Sequence, residues 1–153
     1  MNPNTLLTAA SLLSILLFLF HLAADIVLGI EQGDVNDVIG ATFICTVWLC
    51  GTLLFRGRLA GYIVTLLGGL LAVAVPYLHF SGKGVGGDFA KQPGAYFFIC
   101  TLLIMSVLGT FSVILSVYGL WNLRASRSAQ KMRRRKPEAP VRPLNSQPRD
   151  QYL

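Results

Sequence analysis

The chain has 153 residues, 54% of them hydrophobic and only 13% charged, with a mean hydropathy of +0.60. That balance excludes an ordinary soluble domain and points to one compact unit in a bilayer. The net charge of +6 does not make a nucleic-acid-binding face, because nine of the thirteen basic residues fall from Arg124 onward, after the last apolar run.

Four apolar runs cover residues 5–30, 38–55, 59–80 and 95–123. Each is near or above the ~20 residues an α-helix needs to cross ~30 Å of hydrocarbon. The runs are continuous, not alternating, and an open sheet would leave backbone groups unpaired in lipid. The expected architecture is therefore an all-α membrane protein, with four transmembrane helices in an antiparallel bundle over residues 1–124. The first run lacks a basic leader and a small-residue cleavage site, so it is expected to be a retained helix.

On the first run Ser11, Ser14, Phe18, His21 and Asp25 share one face at ~100° per residue. On the second, Asp37, Gly40, Ala41, Trp48 and Gly51 do so. The third carries Gly61, Thr65, Gly68, Ala72 and His79, and the fourth Thr101, Met105, Gly109, Ser112, Ser116 and Gly119. Small residues let helix backbones approach in lipid, so Gly61, Gly68, Ala72, Gly109, Ser112 and Ser116 are the expected packing positions. Pro76 is an ordinary membrane-helix proline that removes one backbone donor below Tyr77 and His79. Phe55, Tyr62, Tyr118 and Trp121 at one end, and Tyr77 and Tyr96 at the other, read as interfacial aromatic belts.

The turn Arg56-Gly57-Arg58 and the C-terminal segment hold eleven basic residues, whereas the other two connections hold only Lys83 and Lys91. Retention of Lys and Arg on the cytoplasmic side places both termini there. The segment 125–153 is basic and proline-rich and is expected to be a disordered tail. Its Lys131, Arg133, Arg134, Arg135 and Lys136 are candidates for contact with anionic lipid head groups.

Glu31, Asp34 and Asp37 make the first outward connection acidic. The second, Ser81-Gly82-Lys83-Gly84-Val85-Gly86-Gly87-Asp88, is glycine-rich but has no Gly-Lys-Ser/Thr opening a helix, so it reads as a connector and not a phosphate loop. Ionisable residues within membrane segments face the bundle interior or water and carry a functional hypothesis by default. His21 and Asp25, four residues apart, can bond to each other. With Asp37 and His79 they form a candidate divalent-cation site of imidazole and carboxylate ligands, although no metal-binding motif spacing is present. The plainer account is a water-facing Asp–His pair that serves packing and insertion.

Bis-histidine haem is disfavoured, because level outer helix ends would put His79 ~10 Å or more above His21. Cys45, Cys50 and Cys100 form no Cys-x-x-Cys and read as packing residues; a Cys45–Cys100 redox pair at comparable depth is the alternative. No serine or threonine sits in a nucleophile elbow or beside a histidine in an identifying arrangement.

His21-Leu-Ala-Ala-Asp25-Ile-Val-Leu-Gly29-Ile-Glu31, Val47-Trp48-Leu-Cys-Gly51-Thr-Leu, Gly61-Tyr62-Ile, Leu67-Gly68 and Gly119-Leu-Trp121-Asn-Leu-Arg124 together resemble a group of small four-pass bacterial membrane proteins with no assigned activity. The resemblance runs to about Arg124 and implies a bacterial inner-membrane location and the four-helix topology; it brings no catalytic residue or substrate. The expected role is a non-enzymatic accessory or homo-oligomeric membrane component, with a small cation-binding or transport protein as the alternative and a membrane redox protein as the third.

Overall fold

Asn2 and Pro3 open the first helix with a cap: the Asn2 Oδ1 accepts the Asn4 N–H at 3.1 Å, and proline at the first helical position gives up a hydrogen no helix would use. The computed structural model describes residues 2–28, 35–81 and 94–135. Its helices are α1 (Pro3–Leu28), α2 (Val35–Leu53), α3 (Leu59–Ser81) and α4 (Ala95–Arg135), with no strand among the described residues.

Three of the four, α1, α3 and α4, are long and apolar enough to cross a membrane; in α2 the apolar stretch runs only from Val38 to Leu53. The polar pair Asn36 and Asp37 occupies the first turn of α2 and shortens its apolar length. Gly57, with φ +73°, makes the turn into α3, a conformation glycine adopts without a Cβ clash. A Cβ on Gly61 would strike the carbonyl of Phe55, so glycine lets α3 leave this turn closely.

α4 packs along both α3 and α1, while α2 leans mainly on α3 and shares no contact with α4. The α3–α4 approach is set by two glycines: a Cβ on Gly109 would lie 2.8 Å from the Gly69 carbonyl oxygen and 2.8 Å from the Ala72 Cβ. Trp48 fills the space over Gly68, and Tyr62 that over Gly119. Tyr62 is thus a correction to the interfacial-belt expectation. It is buried, and its hydroxyl donates to Asn4 Oδ1 at 2.5 Å. Tyr77, Tyr96, Tyr118 and Trp121 are exposed.

The core joins Ile15 and Phe18 of α1, Cys45 and Trp48 of α2, Ala72 of α3, and Phe98, Leu102 and Met105 of α4. Several buried polar atoms are bonded in pairs that tie helices together. Trp48 Nε1 donates to Ser11 Oγ at 2.9 Å, Ser11 meets Thr52 at 2.8 Å, and Thr65 meets Ser116 at 3.0 Å. The outward surface carries Leu13, Leu16, Phe43, Leu67, Leu70, Ile104, Val107 and Ile114. Apolar outside with hydroxyls paired inside is what lipid as a solvent rewards.

A second correction concerns the end of α4. Helix continues through residues 125–135, where the sequence reading expects disorder to begin. No glycine or proline interrupts this stretch before Pro137, and Ser126 and Ser128 fold their hydroxyls back onto the carbonyls of Asn122 and Arg124. Basic residues at a helix C-terminus also suit the macrodipole. At 1.5 Å per residue the 41 residues of α4 extend ~60 Å, about twice the hydrocarbon thickness.

Candidate metal site

The polar face of α1 is buried along its whole length: Ser11, Ser14, Phe18, His21 and Asp25 are all inside. At its far end the i, i+4 spacing brings His21 Nε2 within 3.2 Å of Asp25 Oδ2. His79 reaches the same oxygen from α3, with Nε2 at 3.8 Å. One ligand atom from each of the three residues lies within 4.8 Å of the others. Phe98 of α4 closes the side of the site, its ring centroid 4.8 Å from that of His21 and 5.6 Å from that of His79.

The meeting of His21 and His79 corrects the depth expected from level outer helix ends. The rings stand edge to face with centroids 4.8 Å apart. The true register is set at the opposite end, where Tyr62 bonds Asn4. From Asn4 to His21 and from Tyr62 to His79 is seventeen residues in both helices, so two helices rising at the same rate bring the histidines level. α1 then continues past His21 to Leu28, whereas α3 ends at Ser81. The ends are staggered, not flush. The depth argument against haem therefore falls, and the objection becomes ring geometry: a macrocycle has no slot between two touching imidazoles flanked by Phe98.

Hydrogen bonding fixes how His79 presents itself. Its Nδ1 lies 3.0 Å from the Val75 carbonyl oxygen. A carbonyl only accepts, so Nδ1 carries the hydrogen and a neutral ring holds a lone pair on Nε2. That Nε2 is buried with no hydrogen-bond partner, and so is Nδ1 of His21. A histidine pinned through one nitrogen to a backbone carbonyl, with the other aimed at a carboxylate, has the orientation metal-ligating imidazoles adopt.

Of the remaining candidates, Asp37 belongs to the first turn of α2 and its side chain, like Glu31, Asp34 and Asp88, lies outside the described residues. The packing positions Gly61, Gly68, Ala72, Gly109, Ser112 and Ser116 are buried, and Ser112 Oγ has no hydrogen-bond partner. Lys131 is exposed on the α4 extension; Arg133–Arg135 continue that helix with side chains outside the described set, as is Lys136. Cys45 and Cys100 sit on α2 and α4, which bring no Cα pair within 8 Å. A disulfide needs Cα atoms within about 7 Å, so the redox pair is not formed.

Phe98 and the Val75 carbonyl were not singled out in the sequence. The His79–Val75 spacing of four is a signal for the second; nothing in the sequence marks the first. No known family profile matches this chain, and no curated protein or solved structure is significantly similar to it.

Proposed function

We propose that this protein is a four-pass integral membrane protein that binds a cation at the outer end of its bundle, through His21, Asp25 and His79. The observation that carries the reading is the convergence of three ligand-bearing side chains from two helices on one buried point. The expected accessory role places no demand on those three residues, whereas a cation would use a ligand atom of each.

An antiparallel bundle is supported by the pairings along the helices. Ser11 meets Thr52 and Thr5 meets Arg56, which runs α2 against α1. Thr65 meets Ser116 while His79 lies by Phe98, which runs α4 against α3. The turn Arg56–Arg58 and the basic extension of α4 then share the end at which Asn4 and Tyr62 meet. Under the positive-inside rule that end is cytoplasmic, with both termini there and the His–Asp cluster outward. A bacterial inner-membrane location is part of this proposal, supported by the resemblance of the sequence to small bacterial four-pass proteins.

The test is elemental analysis of protein gently extracted from its native membrane, alongside His21→Ala and Asp25→Asn. A stoichiometric metal in the parent, lost in both variants, is expected. Equal metal content in all three preparations would remove the reading.

A further inference from the structure

We infer that the cation is a first-row transition-metal dication of the Zn²⁺ type, held, among the described residues, by His79 Nε2, Asp25 Oδ2 and one ring nitrogen of His21. This rests on the cation-binding reading and narrows it to one chemical class.

Ligand chemistry is the first argument. Two imidazoles and one carboxylate suit Zn²⁺ and its neighbours, whereas Ca²⁺ takes six to eight oxygens and Mg²⁺ a near-ideal octahedron of oxygens and water. Among the described residues no further carboxylate joins the group. Spacing is the second. Bonds of 2.0–2.2 Å at tetrahedral angles put ligand atoms about 3.4 Å apart. Asp25 Oδ2 already stands 3.2 Å from His21 Nε2 and 3.8 Å from His79 Nε2. The widest separation in the set, up to 4.8 Å, would have to close by about 1.4 Å to complete three corners of a tetrahedron.

Preorganisation is the third. The Val75 carbonyl holds the proton of His79 on Nδ1 and directs the Nε2 lone pair toward Asp25. Nε2 facing a carboxylate oxygen across 3.8 Å is a spacing that a cation between them could bridge. Burial adds to this: the side chains of His21, Asp25 and His79 are 4%, 10% and 13% exposed, and so little solvent competes for the metal. Among the described residues the site supplies three ligands, the number a zinc site has when its fourth position is filled by another donor.

The experiment titrates the purified full chain in detergent with Co²⁺, reading the visible ligand-field bands, then adds Zn²⁺, Mg²⁺ or Ca²⁺ as competitor. One equivalent of Co²⁺ is expected to give the intense bands of a four-coordinate site. Zn²⁺ should abolish them and a large excess of Mg²⁺ or Ca²⁺ should leave them. Asp25→Asn and His79→Gln should each weaken Co²⁺ binding about tenfold or more. Helical content by circular dichroism distinguishes that loss from unfolding, and the competition in the parent chain needs no variant at all. Displacement by Mg²⁺ or Ca²⁺, or weak octahedral-type bands, overturns the transition-metal inference and leaves the cation reading standing. No binding of any of the four ions overturns both.

Discussion

At the scale of single residues, the bundle separates two quantities that are hard to separate in soluble proteins. Trp48 both fills the groove over Gly68 and donates to Ser11. Hydrogen bonds between membrane helices average about 0.6 kcal/mol, because the unfolded chain in lipid finds other partners. Truncating a buried tryptophan costs about 3–5 kcal/mol. Packing should therefore dominate: in detergent unfolding, Ser11→Ala is expected to lose about 1 kcal/mol or less and Trp48→Ala several times that. Equal losses would show that the hydroxyl network, not the ring, holds α2 in place. The pairing of His21 with Asp25 was legible because it needs only helical pitch within one segment. That of His79 with them was not, since it depends on how two helices are offset. Helix ends are a poor ruler for offset; the buried Asn4–Tyr62 bond is a better one.

At the scale of elements, the apolar runs located every helix among the described residues, because long continuous hydrophobic runs in lipid admit no other regular structure. Limits were less legible wherever hydropathy and helix propensity diverge. α4 shows this plainly. Hydropathy ends near Leu123, yet Ala, Gln, Lys, Met and Arg continue to favour helix in water until Pro137 approaches. Small-residue stripes differ in the same way, since a glycine on a face says nothing about whether a neighbour arrives. Gly109 lies against Gly69 and Ala72, but nothing comes within 4 Å of a Cβ built on Gly40. Gly109→Val should force α3 and α4 apart at a cost of about 1–3 kcal/mol. Gly40→Ala should leave the unfolding transition unchanged or raised. A reversal of that order would mean the α3–α4 seam is not the main packing surface.

At the scale of the whole molecule, the fold is a ring of contacts in which α4 serves as the common partner of α1 and α3. Charge is distributed across this ring by end and not by face. Arg56, Arg58 and the α4 extension gather where the chain begins, and the His–Asp group lies at the other extreme. Reporter fusions after Gly57 and after Ser128 are both expected to read cytoplasmic, with a single-cysteine label at Tyr96 accessible from outside. Opposite readings from the two fusions would mean that the segment from Leu59 to Ser128 crosses the membrane an odd number of times. That α2 has the shortest apolar stretch makes its crossing the most informative one to test.

One feature of that ring bears on how the molecule would respond to its ligand. All three proposed donors belong to α1 and α3, and these two helices touch each other far less than either touches α4. A metal between them would thus be a cross-link across the lightly packed α1–α3 diagonal of the bundle. Occupancy and mechanical coherence then rise together. A free-ion concentration one hundred times the dissociation constant adds about 2.7 kcal/mol to the folded state, and each further decade about 1.4. The proposed ion would, in that sense, be a clasp of the bundle.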